Sequence, residues 1–201
     1  LMDFTEPSSF GYDEMTTEGK VIALFKDGHR VETLSEEGDI ILDHTNFYAE
    51  MGGQCADTGR VSNCNFEAAV NQVVNAPNKQ HMLHVTEVSG TVHVGDKLYQ
   101  AIDVEKRLKT QCNHTATHIL QRALQDVVGS HVSQAGSYVD DERLRFDFTH
   151  YEKLSDEVLN EIERRVNTEI FKGDRVDIEE MSMDEAKQKG AMALFTEKYG
   201  S

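Results

Sequence analysis

One stretch constrains this chain more than any other. Residues 102–129, IDVEKRLKTQCNHTATHILQRALQDVVG, read as a single long amphipathic helix. At 3.6 residues per turn, Leu108, Cys112, Ala116, Ile119, Leu120, Ala123 and Val127 gather on one side, which predicts the face laid against a core. His114 and His118, four residues apart, lie within about 40° of each other and roughly opposite that stripe, so the imidazoles face something else. No proline interrupts the run, and Gly129 stands where a left-handed cap ends a helix.

Upstream of the helix the signals are short and strand-like. Residues 20–25 (KVIALF) meet Asp27-Gly28, a two-residue hairpin signal, and the pattern resumes over 30–34. Residues 39–43, 67–74 and 81–88 add further runs, with turns at Glu37-Gly38, Ala76-Pro77-Asn78, Ser89-Gly90 and Gly95-Asp96. Six or so strands at this spacing suggest a small barrel or sandwich. Residues 42–60 (LDHTNFYAEMGGQCADTGR) differ. Gly52 and Gly53 permit positive φ and close backbone approach, and Gln54 after them can set an amide against something bound; the plainer reading is a turn between strands. Residues 4–12 have no core pattern and read as an extended segment entering from a preceding domain.

Downstream, strands are expected over 131–139 and 143–149. In the second, Leu144, Phe146 and Phe148 alternate with Arg143, Arg145 and Asp147, a half-buried antiparallel pattern. Ser155 is an N-cap for a helix with Val158, Leu159, Ile162, Val166 and Ile170 at helical spacing, ending at Lys172-Gly173. Residues 175–179 alternate as a strand. Ser182-Met183-Asp184-Glu185 is a capping box for a short helix that stops at Gly190. The expected fold class is α+β: a small N-terminal β-barrel subdomain over 1–100, then an antiparallel sheet packed with helices over 101–201.

Composition narrows the function. No apolar run reaches the roughly 18 residues of a membrane span, and the acidic, polar N-terminus is unlike a signal peptide. Cys55, Cys64 and Cys112 are odd in number and lack CxxC spacing, which suggests reduced thiols and a cytoplasmic protein. The net charge of −16 is a poor footprint for general nucleic-acid binding. An RNA partner needs a local basic patch or help from elsewhere; Lys106, Arg107, Lys109 and Arg122 on the long helix are candidates for phosphates, or ordinary solvated charges.

An HxxxH pair on a helix is spaced to share a metal. A zincin-type protease needs Glu after the first histidine, and Thr115 stands there. Two protein ligands make half a tetrahedral site, and this chain has no CxxxH; His131 and His150 are further candidates. A pair of ordinary surface or satisfied histidines is the competing reading.

Five stretches in order, DFTEPSSF followed by Gly11-Tyr12, LDHTNFYAEMGGQCADTG, CNHTATHIL, HVSQAGSYV with RLRFDF, and GAMALFTEKYG, resemble bacterial alanyl-tRNA synthetases from Phe4 to Gly200. Related modules occur in threonyl-tRNA synthetases and in free-standing alanyl-tRNA editing proteins; the lead-in at 4–12 favours the synthetase. The resemblance implies an editing domain, which hydrolyses seryl- and glycyl-tRNA(Ala) made in error, within an ATP-using enzyme that attaches alanine to tRNA(Ala). It implies a β-barrel and an α/β editing core, with His114 and His118 as ligands of Zn2+. It places the remaining two ligands in a Cys-x-x-x-His motif past residue 201, so the zinc site is expected to be incomplete and the fragment weakly active by itself. Gln134 matches a glutamine of the editing pocket, and Thr115 is a second candidate for the catalytic site. Gly53, Gln54 and Gln134 are the candidates for substrate contact. The partners implied are the mischarged tRNA(Ala) acceptor end and the remaining synthetase domains, with no membrane. Thr196 stands where the family pattern has Gly. A non-catalytic, tRNA-contacting module is the alternative.

Overall fold

The computed structural model describes residues 6–177, 179 and 181–190. The chain divides into two compact units between Lys109 and Thr110. The first contains the strands Ser9–Phe10 (β1), Thr16–Lys26 (β2), His29–Val31 (β3), Thr33–Leu34 (β4), Gly38–Leu42 (β5) and His44–Thr45 (β6). Gly59–Asn63 (β7), Phe66–Asn75 (β8), His81–Gly90 (β9), Val92–His93 (β10) and Lys97–Ile102 (β11) follow. The division falls inside the helix Val104–Val127 (α1). After it come Gln134–Val139 (β12), Leu144–Phe148 (β13), Asp156–Lys172 (α2) and Met183–Gln188 (α3).

In the first unit β2, β5, β9, β8, β7 and β11 pair in that order, all antiparallel, and β11 pairs back onto β2. The result is a closed six-stranded barrel, the arrangement that removes free sheet edges. β2 serves both neighbours: residues 16–20 pair with β11, and residues 21–25 with β5. A register shift between Val21 and Ala23 marks the change, as a bulge bends and re-aims a strand. Its apolar run is continuous because both faces are covered. Val21 and Leu24 join a core with Ile40, Leu42, Phe47, Val61, Val73, Leu83, Val85 and Leu98. Ile22, Ala23 and Phe25 pack with Ile41, Ala76 and half-buried Met82. The β2–β3 hairpin turns at Asp27 and Gly28 with φ of 50° and 76°, the double positive φ of a type I′ turn.

β7 and β11 complete the barrel, and neither stands out in the sequence. In β11 the inward positions are Leu98, Gln100 and Ile102. Gln100 is fully buried, but Thr45 Oγ1 donates to its Oε1 at 2.6 Å and its Nε2 donates to the His44 carbonyl at 2.9 Å. A satisfied buried amide interrupts the apolar alternation without weakening the strand. The N-terminal segment is indeed extended: β1 pairs in parallel with β6, and Phe10 lies against Tyr12, Tyr48 and His81.

The second unit has a hairpin, β12–β13, with α1 and α2 around a small core of Ala123, Leu124, Val132 and Ile162. Half-buried Leu120, Val127, Phe146, Phe148, Val158 and Val166 extend it. Ser155 caps α2 by accepting the Val158 N–H, and Gly173 closes it at φ 65°. Ser182 and Glu185 form the capping box of α3. No described helix is long and apolar enough to cross a membrane, and Cys55, Cys64 and Cys112 form no disulfide.

Two expectations need correction. The stripe assigned to α1 is buried only toward its C-terminal end. Leu108 is 49% exposed and Cys112 is also exposed, whereas Arg107, Thr110, Thr117 and Gln121, nearly opposite, are buried. Hydrogen bonds decide this: an ion pair holds Arg107, and amide side chains on this side of α1 meet backbone carbonyls of the segment flanking β12. The strand expected over 175–179 is not formed in its described residues. Val176 is 61% exposed, so the alternation finds no apolar face to cover. Phe4 and residues 191–200, including Thr196, lie outside the described residues.

Candidate functional site

His114 and His118 occupy successive turns in the middle of α1. Their rings stack at 5.4 Å between centroids with 19° between planes. His114 is half-buried and His118 exposed. Two parallel imidazoles one turn apart suit two positions of a tetrahedral zinc site, which takes four ligands. Among the described residues no third His, Cys, Asp or Glu joins them. The donor set is therefore half of what zinc requires. His131 and His150 are engaged with each other, Nε2 to Nδ1 at 2.9 Å, with rings stacked at 5.2 Å and Tyr151 beside both.

Gln134 opens β12, at a register shift between it and Gly136. It is 8% exposed. Its Nε2 donates to Ser137 Oγ at 2.9 Å, which leaves Oε1 buried with no partner. Gln121 Oε1, also in the second unit, and Asn46 Oδ1, in the first, share that condition. Buried acceptors normally find donors, so each orphan is a place where a group from outside can dock. Thr115, half-buried, follows His114 and lies about 100° round the helix from it.

Gly53 and Gln54 belong to the first unit. Gly52 and Gly53 have φ of 62° and 83°, and Met51 and Gln54 exchange backbone hydrogen bonds at 3.3 and 3.1 Å across them. The Gln54 side chain is 2% exposed. The passage is thus a tight glycine turn with its amide buried.

Of the four cations proposed for phosphates, Arg107 is excluded. It is fully buried and paired with Asp57, because an Asp inside the barrel unit requires a cation. Lys109 pairs with Glu105 at 2.6 Å and Arg122 with Asp126 at 3.0 Å, both along the helix surface. The Asp57–Arg107 pair and the orphaned Gln121 are the features that sequence reasoning missed. Only the coincidence of a polar stripe at 107, 110, 117 and 121 signals them.

Comparison with known proteins adds identity to this geometry. The family model for tRNA synthetases class II (A) matches residues 2–106. The chain is 48% identical over 204 residues to an alanine–tRNA ligase of Lysinibacillus sphaericus, a match covering 100% of this chain and 22% of that protein. It is 48% identical over 203 residues to one from Geobacillus kaustophilus, covering 100% of the chain and 23% of the relative. For one from Staphylococcus saprophyticus the identity is 46% over 205 residues, with the same two coverages. The chain thus spans less than a quarter of the length of these relatives.

Proposed function

As the chain belongs to the family of class II (A) tRNA synthetases, we propose that its second unit is the editing module of an alanine–tRNA ligase. It cleaves the ester of seryl- or glycyl-tRNA(Ala) made in error by a parent enzyme that joins alanine to tRNA(Ala) with ATP. The need follows from chemistry. A pocket for alanine rejects glycine by only the worth of a methyl group, about 1–3 kcal/mol, and a small site does not strongly exclude an added hydroxyl. A second, hydrolytic site raises the discrimination.

The observation that carries this proposal is a helix bearing His114 and His118 one turn apart, in the same unit as a buried glutamine oxygen without a donor. The two imidazoles would hold half of a zinc coordination sphere, with donors from beyond the described residues completing it. Bound zinc supplies Lewis acidity toward an ester carbonyl or a water. Gln134, its amide fixed by Ser137, presents Oε1 to a donor on the aminoacyl group and so orients the ester. Thr115 contacts the seryl side chain or the terminal adenosine. Hydrolysis adds water across the acyl–oxygen bond, releasing the free amino acid and the ribose hydroxyl. Gly53 and Gln54 receive no step, since the Gln54 amide is buried in the other unit.

The partners in this proposal are the tRNA(Ala) acceptor end and the remaining domains of the synthetase, in the cytoplasm. With a net charge of −16, most tRNA affinity comes from those other domains. The lack of a third donor among the described residues favours one second reading, a module that contacts tRNA without chemistry. Zinc content of the full-length enzyme containing this segment, with its seryl-tRNA(Ala) deacylation measured with and without added zinc, separates the two. Zinc that is lost in His114→Ala, together with matching turnover, supports editing. A folded protein with neither metal nor turnover at saturating zinc points to the non-catalytic module.

A further inference from the structure

The second unit buries two glutamines whose amide oxygens lack donors. Gln121 on α1 is 4% exposed and Gln134 on β12 is 8% exposed, and Oε1 of each is buried without a partner. Such an oxygen loses its water and gains nothing in return, so its retention calls for an explanation.

Two side-chain hydrogen bonds orient the elements that carry them. Gln125 Nε2 donates to the Val132 carbonyl at 3.2 Å, and Asn113 Nδ2 to the Asp140 carbonyl at 2.8 Å, so β12 runs antiparallel to α1. One helical turn back from Gln125 is Gln121. Gln134, the first residue of β12, is two residues on from buried Val132. His118 precedes Gln121 by three residues and His114 by seven, so all three share one side of the helix.

We propose that Gln121 is a second substrate-binding residue, which with Gln134 receives the α-ammonium of the aminoacyl ester. The proposal rests on the editing reading above. For one small group to satisfy both buried acceptors, it must supply two donors. A seryl hydroxyl has a single hydrogen to give, whereas an ammonium has three. Seryl and glycyl esters share that ammonium, so the pair holds the ester by what the two substrates have in common.

The test is calorimetric binding of 3′-serylamido- and 3′-glycylamido-3′-deoxyadenosine to this chain. The glycolyl analogue, with a hydroxyl in place of the ammonium, is the third probe. Gln121→Leu keeps the volume and removes a buried amide oxygen that has no donor, and its fold is checked by thermal unfolding against the parent. It is expected to weaken both aminoacyl probes about ten- to a hundredfold, and equally. Gln121→Glu keeps an acceptor and is expected to bind both at least as tightly as the unaltered chain. The glycolyl probe is expected to be insensitive to either change. An unchanged Kd in Gln121→Leu, or a loss confined to the seryl probe, overturns the role of Gln121 and leaves the editing reading standing. Failure of the unaltered chain to bind either aminoacyl probe overturns the editing reading, and this role with it.

Discussion

Replacing Arg107 by methionine keeps the volume and removes the one cation that pairs with Asp57 among the described residues. The Arg107 Nε donates to both Asp57 oxygens at 2.9 and 3.0 Å, and Nη2 donates to Asp57 and to the Asn46 carbonyl, the latter at 2.7 Å. Nη1 donates to the Tyr12 carbonyl, and the guanidinium carbon lies 4.6 Å from the centre of the Tyr12 ring. Asp57, 5% exposed, also accepts the Tyr48 N–H at 2.8 Å. Methionine would leave a carboxylate in a dry site and two carbonyls without donors. Breaking one side of such a pair costs about 3–5 kcal/mol. For a unit of this size that is a fall in Tm of roughly 15–30 °C. Lysine does not rescue, because a single ammonium cannot reproduce the planar fork. The assay is thermal and urea unfolding of the parent, Arg107→Met, Asp57→Asn and the double variant. Asparagine keeps an acceptor for Tyr48 and sheds the charge, so the double variant is expected to be more stable than Arg107→Met alone. A loss of less than about 1 kcal/mol in Arg107→Met, the range of exposed ion pairs, would show that the Asp57 carboxylate does not depend on this cation.

Further expectations concern pH, caps and turns. His84 bonds Asp39 at 2.8 Å and Glu37 at 3.1 Å, and the Asp39 hydrogen bond foremost raises its pKa above the ordinary value. The folded state then holds this proton more tightly than the unfolded chain, so the stabilisation is full below the unfolded pKa of about 6.5 and lost as pH rises through the folded one. The gap in urea midpoint between the parent and His84→Gln should shrink from pH 6 to 9; a widening gap contradicts the assignment. Ser155→Ala removes the cap that accepts the Val158 N–H and should cost about 1 kcal/mol in chemical unfolding. Gly28→Val forces a β-branched residue to φ 76° and should cost about 1–2 kcal/mol, read as a lower urea midpoint at unchanged slope.

How far the chain was legible depends on which force decides each element. Short apolar runs with strong turn signals, such as 20–25 before Asp27-Gly28, announced β2, β5, β8 and β9 because apolar burial sets them. β11 was hidden because Gln100 points inward and is satisfied by Thr45 and His44, partners more than fifty residues away in sequence. The extent of α1 was legible from its periodicity, but its buried side toward the N-terminus was not. Hydropathy ranks Arg107 as solvent-facing, whereas Asp57, fifty residues earlier, makes burial its stable state. At the site, the spacing of His114 and His118 was plain in the sequence, and the resemblance singled out Gln134. The orphaned oxygens of Gln121 and Gln134 emerge only from tertiary burial, which neither residue's local sequence signals.

The central claim is that His114 and His118 serve hydrolysis of mischarged tRNA. Its most direct test is seryl-tRNA(Ala) deacylation by the full-length enzyme containing this segment, with and without His114→Ala/His118→Ala, alongside its rate of alanyl-tRNA(Ala) formation. Deacylation is expected to fall at least about a hundredfold while aminoacylation is unchanged, since metal-assisted activation of water or carbonyl is worth several kcal/mol. Deacylation at the parent rate in the double variant would contradict it.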